Sequence, residues 1–349
     1  MPQTMREEIL AMNERMSALF IETTPQRREY RRQHPTEFYK TLCMDGRVNL
    51  RRCCKIPFGL TTPYRNIGGR FSAGWPKFRD SLLEGYEYAH SMHVLACLLE
   101  TYHFSESGKD LGCAGFGHNL EDAMEYLEGF LNEIKRAFPK MIWPFLLGIE
   151  TDSDALILHL EDGSKIDMRQ VTNPTQSYFE RILTQRCRSY PDQILMDIIP
   201  FLMGNIEHQE DLKRQGGRPT KAKRHNERCL GLGQGFDWND KDNFMLILGP
   251  CDPALDKAIV RAAEIIENNL RGEDGEVDEE ERSKGGILLV STPFRGRKLW
   301  QRPSAVEQSR YLTRLALDSI QNNLPSMAGY FVPLVGVLDQ DTRRFEEIK

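Results

Sequence analysis

Apolar positions recur along the chain at two spacings, and their alternation outlines the fold. Residues 5–33 place Ile9, Met12, Met16, Leu19 and Phe20 among many charges, which predicts a helical N-terminal arm closed by Pro35. FYKTLCMDGRV (38–48) reads as a strand running into a polar turn, and 55–75 as an irregular stretch rich in Gly and Pro. Pro76 opens a predicted helix over 76–90, and the mostly apolar 92–104 reads as a buried strand. A turn containing Gly108, Gly112, Gly115 and Gly117 leads to a helix from about 119 to 137 and a strand pair over 144–160. This order predicts an α/β fold: a mostly parallel sheet flanked by helices, with its chemistry at the C-terminal ends of the strands.

The second half repeats the order. Strand 243–250, helix 254–270, strand 285–294, helix 303–323 and a strand pair over 330–346 follow one another. FLLGIETDSDALIL (145–158) and VPLVGVLDQDTRRF (332–345) are each an apolar strand, a Gly and an Asp-containing turn. The middle and last strands recur at a similar offset of about 190 residues, which predicts a tandem pseudo-repeat. At about 150 residues per domain, 349 residues predict two domains behind the arm. The expected boundaries are a helical arm over 1–37, a first domain over 38–160, and a degenerate repeat over 161–349.

Composition narrows the function classes. Hydrophobic residues at 40% and charged residues at 28% are those of a globular protein with a packed core. With 46 Lys+Arg against 51 Asp+Glu the net charge is −5, which argues against a surface built for nucleic acid or anionic membrane. The longest apolar stretches, 144–149 and 330–338, are far short of the roughly 18 residues that span a bilayer. The first residues carry acidic groups and no continuous apolar core, unlike a secretory signal, so the expected location is cytoplasmic. Eight cysteines are too sparse for a disulfide scaffold, and in a reducing compartment thiols are free or hold a metal.

Two charged stretches read as solvated loops. Residues 213–228 hold seven Lys/Arg, and residues 272–286 are acidic. The sharper reading of the basic stretch is a docking site for an acidic partner.

Candidate chemistry gathers in the first half. Cys43-x-Asp45-x-Arg47 ends the first strand, 65-RNIGGRF-71 forms a tight turn, His103 ends the second core strand, and Cys113 lies in the loop beyond it. Each alone has an ordinary structural reading: core thiol, buried histidine, turn pair. Together, two thiolates and an imidazole at the ends of neighbouring strands match the N/S preference of zinc and leave a fourth position for water. Asp45 is then placed to orient the zinc-bound hydroxide, and Arg47 to hold Asp45 by a charge-assisted pair. Gly68 and Gly69 let backbone approach the substrate pocket closely, or form a structural turn. His90, His93 and Cys97 are a competing ligand set, and His118 is a spare ligand.

The segment C-x-D-G-R, the R-N-I-G-G-R turn and the strand ending in His resemble the β-class carbonic anhydrases. That family shows C-x-D-S-R, a similar R-N-x-G-x turn and H-x-x-C. Here Gly46 replaces the serine, and ten residues separate His103 from Cys113 instead of three. The longer spacing is similar to the carboxysome shell carbonic anhydrases, a divergent β-type subgroup that carries a second, degenerate copy of the catalytic fold. The resemblance covers residues 38–160 by motif and 161–349 by architecture. It implies reversible hydration of carbon dioxide to bicarbonate by zinc-bound hydroxide, with zinc on Cys43, His103 and Cys113. It also implies a homo-oligomer and a carboxysomal or other protein partner. Two alternatives remain open: hydrolysis of another small heterocumulene such as carbon disulfide or carbonyl sulfide, and a non-catalytic zinc scaffold.

Overall fold

A computed structural model describes residues 2–108, 111–172, 174–219, 223, 225–271 and 279–348. Parts of three segments singled out above lie outside the described residues: 109–110 before Cys113, 220–222 and 224 in the basic stretch, and 272–278 in the acidic one. The fold is α/β, with two mostly parallel mixed sheets flanked by helices. The chain divides into two compact units, 25–224 and 1–24 with 225–349. The boundary therefore lies at 224/225, whereas the expected 160/161 boundary falls between two strands of the first sheet.

The predicted arm is two helices, α1 (Pro2–Glu22) and α2 (Thr24–Gln33), broken where Pro25 follows Thr24. They belong to different units.

The first unit holds six strands: β1 (Glu37–Cys43), β2 (Thr61–Asn66), β3 (Ala96–Phe104), β4 (Ile142–Glu150), β5 (Ala155–His159) and β6 (Lys165–Asp167). Their order is β2-β1-β3-β4-β5-β6, with β2, β1, β3 and β4 parallel and β5 and β6 antiparallel. All seven residues of β1 are buried, because helices cover both faces of a central parallel strand. Edge strand β2 is half exposed and tolerates Pro63, which has no N–H to donate.

Between these strands run α3 (Leu50–Cys53), α4 (Pro76–Ser91) and α5 (Leu120–Ala137). In α5 the spacing of Ala123, Leu127, Phe130 and Ile134 makes one buried stripe. Asn119 caps it by accepting from the N–H groups of Glu121 and Asp122, and Lys135 and Arg136 complement the dipole in its last turn. After the sheet come α6 (Gln176–Arg186) and α7 (Asp192–Arg214). Ile194, Leu195, Ile198, Phe201 and Leu202 of α7 join Phe38, Leu42, Leu99 and Phe145 of the strands in one core.

The second unit contains β7 (Cys229–Gly233), β8 (Met245–Leu248), α8 (Leu255–Asn268), the short α9 (Glu279–Ser283), β9 (Gly286–Phe294), α10 (Arg302–Asn323), β10 (Phe331–Asp339) and β11 (Arg344–Glu347). The sheet order is β11-β10-β9-β7-β8, with only β11 antiparallel. Within this unit Asn13 of α1 accepts from the N–H of Phe345 at 2.8 Å and donates to the carbonyl of Arg343 at 3.0 Å. A single amide side chain thereby joins the N-terminal helix to the last hairpin.

Read in chain order, β2-β1-β3-β4-β5 and β8-β7-β9-β10-β11 are the same order with the same directions. Corresponding bonds close the two sheets: Thr151 N–H donates to the carbonyl of Phe104, and Gln340 N–H to that of Phe294, both at 2.8 Å. This register sets Pro293 at the place of His103. It also sets Gln234, Phe236 and Trp238 at the places of Cys43, Asp45 and Arg47. The first strand of the second sheet is β7, so strand 243–250 corresponds to β2 rather than to β1.

Candidate metal centre

Cys43, His103 and Cys113 come together at the C-terminal edge of the first sheet. Each offers one donor atom, all within 4.8 Å of one another, and all three residues are buried. Cys43 is the last residue of β1 and His103 the next-to-last of β3; Cys113 follows the loop after β3. The group could hold a metal ion.

The two sulfurs are 3.8 Å apart, and both cysteines are free thiols. The hydrogen bond between the two sulfurs and the nearby imidazole together hold the Cys43 thiol well below the ordinary thiol range, against its burial. The shared proton and burial push Cys113 well above it. Neither ring nitrogen of His103 has a hydrogen-bond partner, although the residue is 2% exposed. A buried imidazole without partners is costly unless a ligand takes one nitrogen.

Beside the three donors, Arg47 folds back on Asp45. Its Nε lies 3.1 and 3.2 Å from the two carboxylate oxygens, and one terminal nitrogen is 2.7 Å from Oδ2. The main-chain N–H of Arg47 donates to Oδ1 at 2.8 Å. Nε2 of His103 is 3.7 Å from Oδ2, near but beyond hydrogen-bond distance. The other end of the guanidinium donates to the carbonyl of Lys223 at 2.9 Å. The pair is buried, so hydrogen bonds within the protein take the place of water around both charges.

Three backbone features fix the edge. The side chain of Arg65 donates to the carbonyls of Cys43 at 2.7 Å and Val48 at 2.6 Å, and burial pulls its pKa down to about 10. Gly69, at φ +67°, lies where a Cβ would meet the carbonyl of Thr101 at 3.1 Å and the nitrogen of Cys43 at 3.4 Å. A Cβ on Gly115 would stand 2.6 Å from the backbone of Gly68. The Gly68–Gly69 turn therefore packs on both the end of β1 and the loop that carries Cys113.

Other sequence candidates fall elsewhere. His90 and His93 are exposed around the end of α4, Cys97 is buried in the core, and these three do not gather. His118 is exposed; its ring Nδ1 lies 3.1 Å from the carbonyl of Gly112. The basic stretch does not wholly face solvent as expected. Arg218 is buried, with one terminal nitrogen 2.7 Å from Asp154 and also bonded to the carbonyl of Thr151. Composition hid this, because one arginine among seven cations carries no mark of burial.

No family model fits the chain, and no curated protein is significantly similar to it. Among the described residues no helix is long and apolar enough to cross a membrane, and no group of three metal-binding side chains lies wholly within the second unit.

Proposed function

We propose that this chain is a zinc-dependent carbonic anhydrase that interconverts carbon dioxide and bicarbonate, with Cys43, His103 and Cys113 as the metal ligands. The observation that carries the reading is the buried sulfur pair at 3.8 Å, completed by an imidazole whose nitrogens have no other partner. Tetrahedral zinc with Zn–S bonds of about 2.3 Å separates two sulfurs by about 3.8 Å, so the donor set fits the ion. A bound zinc supplies Lewis acidity and lowers the pKa of water towards about 7.

The chain's own residues do the rest. Asp45, held in place by Arg47, accepts a hydrogen bond from the attacking water and orients its remaining lone pair towards the substrate carbon. Arg47 keeps that carboxylate off the metal. Gly68 and Gly69 bring backbone to the edge of the substrate pocket. The shared strand order is accounted for by a tandem duplication whose second copy has lost its donors, with Pro293 and Gln234 in place of His103 and Cys43.

The test is metal analysis of the purified full-length chain with stopped-flow hydration of carbon dioxide. One zinc per chain and rapid hydration are expected. Cys43→Ser, His103→Ala and Cys113→Ser should each lose zinc and activity together. Zinc without hydration of carbon dioxide would overturn the reaction; the same preparation assayed with carbonyl sulfide then separates a related hydrolase from a scaffold.

A further inference from the structure

We propose that Cys43 and Cys113 form a reversible disulfide in the metal-free chain, and that this bond decides whether the site can take up a metal ion. The inference rests on the reading of these residues as metal ligands and adds a redox control to the same site.

The two sulfurs stand 3.8 Å apart, and both residues are free thiols. A disulfide is about 2.05 Å long, so the pair has to close by roughly 1.7 Å. The backbone on either side is held. The carbonyl of Cys43 accepts from Arg65 at 2.7 Å, and that of Cys113 accepts from the N–H groups of Phe116 and His118 at 3.1 and 2.9 Å. The closure therefore falls on side-chain torsions, and turning one Cα–Cβ bond between staggered positions carries its sulfur farther than the gap requires. Bound zinc would do the opposite, keeping the sulfurs apart through its own two bonds to them.

Burial decides the product. Cys43 and Cys113 are 5% and 4% exposed, which restricts the oxidant to a molecule the size of hydrogen peroxide and the product to a bond within the chain. One sulfur attacks a peroxide oxygen; the O–O bond breaks, leaving a sulfenic acid and a water. The other sulfur then attacks the first, the S–O bond breaks, and a second water leaves. Two thiols have given up two electrons and two protons to the peroxide. Cys53 and Cys54 cannot do the same without strain, because neighbouring Cα atoms, about 3.8 Å apart, are closer than a disulfide ordinarily allows. The linked pair leaves His103 as one donor of the three, so the oxidised chain has no metal site. A dithiol restores it by two thiol–disulfide exchanges and is itself oxidised.

The test uses the full-length chain, stripped of metal by a chelator, reduced and desalted. After stoichiometric hydrogen peroxide, a non-reducing peptide map should join Cys43 to Cys113 and leave the other cysteines unmodified. Zinc uptake by the oxidised chain should fall about tenfold or more and return after dithiothreitol. A chain loaded with zinc beforehand should form the link about tenfold more slowly. In Cys113→Ser the link cannot form, and Cys43 should carry the sulfenic or sulfinic acid instead. Absence of the Cys43–Cys113 link, or a link that leaves zinc uptake unchanged, would overturn the proposal. Both are read in the parent chain, so they stand even if Cys113→Ser fails to fold. A reduced chain that takes up no zinc fails the metal reading and the control with it, a result distinct from a missing link. Hydration of carbon dioxide enters none of these measurements.

Discussion

Arg218 donates to the main-chain carbonyl of Arg47 across 3.3 Å, tying the segment after α7 to the turn that carries the Asp45–Arg47 pair. The same guanidinium neutralises Asp154, which is 1% exposed and also bonded to His208 at 2.9 Å. Arg218→Ala leaves that carboxylate buried beside weaker partners. Urea denaturation should show a loss of about 3–5 kcal/mol, the range for a broken buried pair. Arg218→Lys should recover only part, since an ammonium cannot span the three acceptors as the guanidinium does.

Asp154 also makes stability depend on pH. Burial alone would push its pKa up, but the hydrogen bond from His208 and the charges of Arg218 and Arg52 reverse this and hold it below the ordinary 3.8. A lowered folded-state pKa means the stabilisation is present above 3.8 and is lost as pH falls through the folded value. Asp154→Asn should therefore be less stable than the parent at pH 7, with the gap narrowing as the pH falls below 4. Denaturation midpoints across that range measure it.

Glu100 acts in the opposite direction. It is fully buried in the middle of β3 with neither carboxyl oxygen hydrogen-bonded, and burial raises its pKa well above 4.5. The folded chain holds it neutral to higher pH than the unfolded chain does, so stability falls as pH rises above 4.5. Glu100→Met, apolar and of similar volume, should raise the denaturation midpoint at pH 7 and have a smaller effect near pH 4. An equal effect at both values would contradict the neutral carboxyl.

Asp45→Asn tests the orienting carboxylate. The amide keeps one acceptor but adds an N–H donor facing Arg47, so both the clamp and the water's orientation suffer. Zinc content should remain at the parent level while kcat falls by about a hundredfold or more. Arg47→Ala should also be poorly active, because the freed carboxylate can move onto the metal. Near-parental turnover in Asp45→Asn would remove the role assigned to it.

Truncation at the division between units tests the first core. A 1–165 fragment lacks α6 and α7, exposing the apolar face that Ile194, Ile198 and Phe201 cover. It should aggregate, as exposed patches of that size do. Light scattering of fragments 1–165 and 25–224 at equal concentration should separate the two, with 25–224 the less aggregated.

The sequence exposed those parts of the fold whose burial leaves a one-dimensional trace. β3 and β9 are long apolar runs, and α5 has its stripe, so all three were legible. β2 was not, because a half-exposed edge strand containing Pro63 reads as loop. β7 was missed as well: five residues with two glycines, directly after a basic stretch, are too short for any period to show. α7 buries residues around much of its circumference and contains Pro200, so no single stripe marked it. Cys43, Asp45, Arg47, His103 and Cys113 could be picked out by type. The bracing by Arg65 and Arg218 could not, because side chain to carbonyl bonds between distant segments leave no pattern along the chain.

The matching strand orders give the molecule an internal control on frustration. One sheet ends in thiols, an unpartnered imidazole and a buried ion pair, whereas at the corresponding edge of the other Phe236 and Trp238 are buried aromatic rings. The buried thiols and imidazole stand at one copy of the same topology only, although the other edge also buries the Nε1 of Trp238 without a partner. Amide exchange at 43–47 against 234–238, followed in a single sample, would thus compare the two edges under identical solvent and temperature.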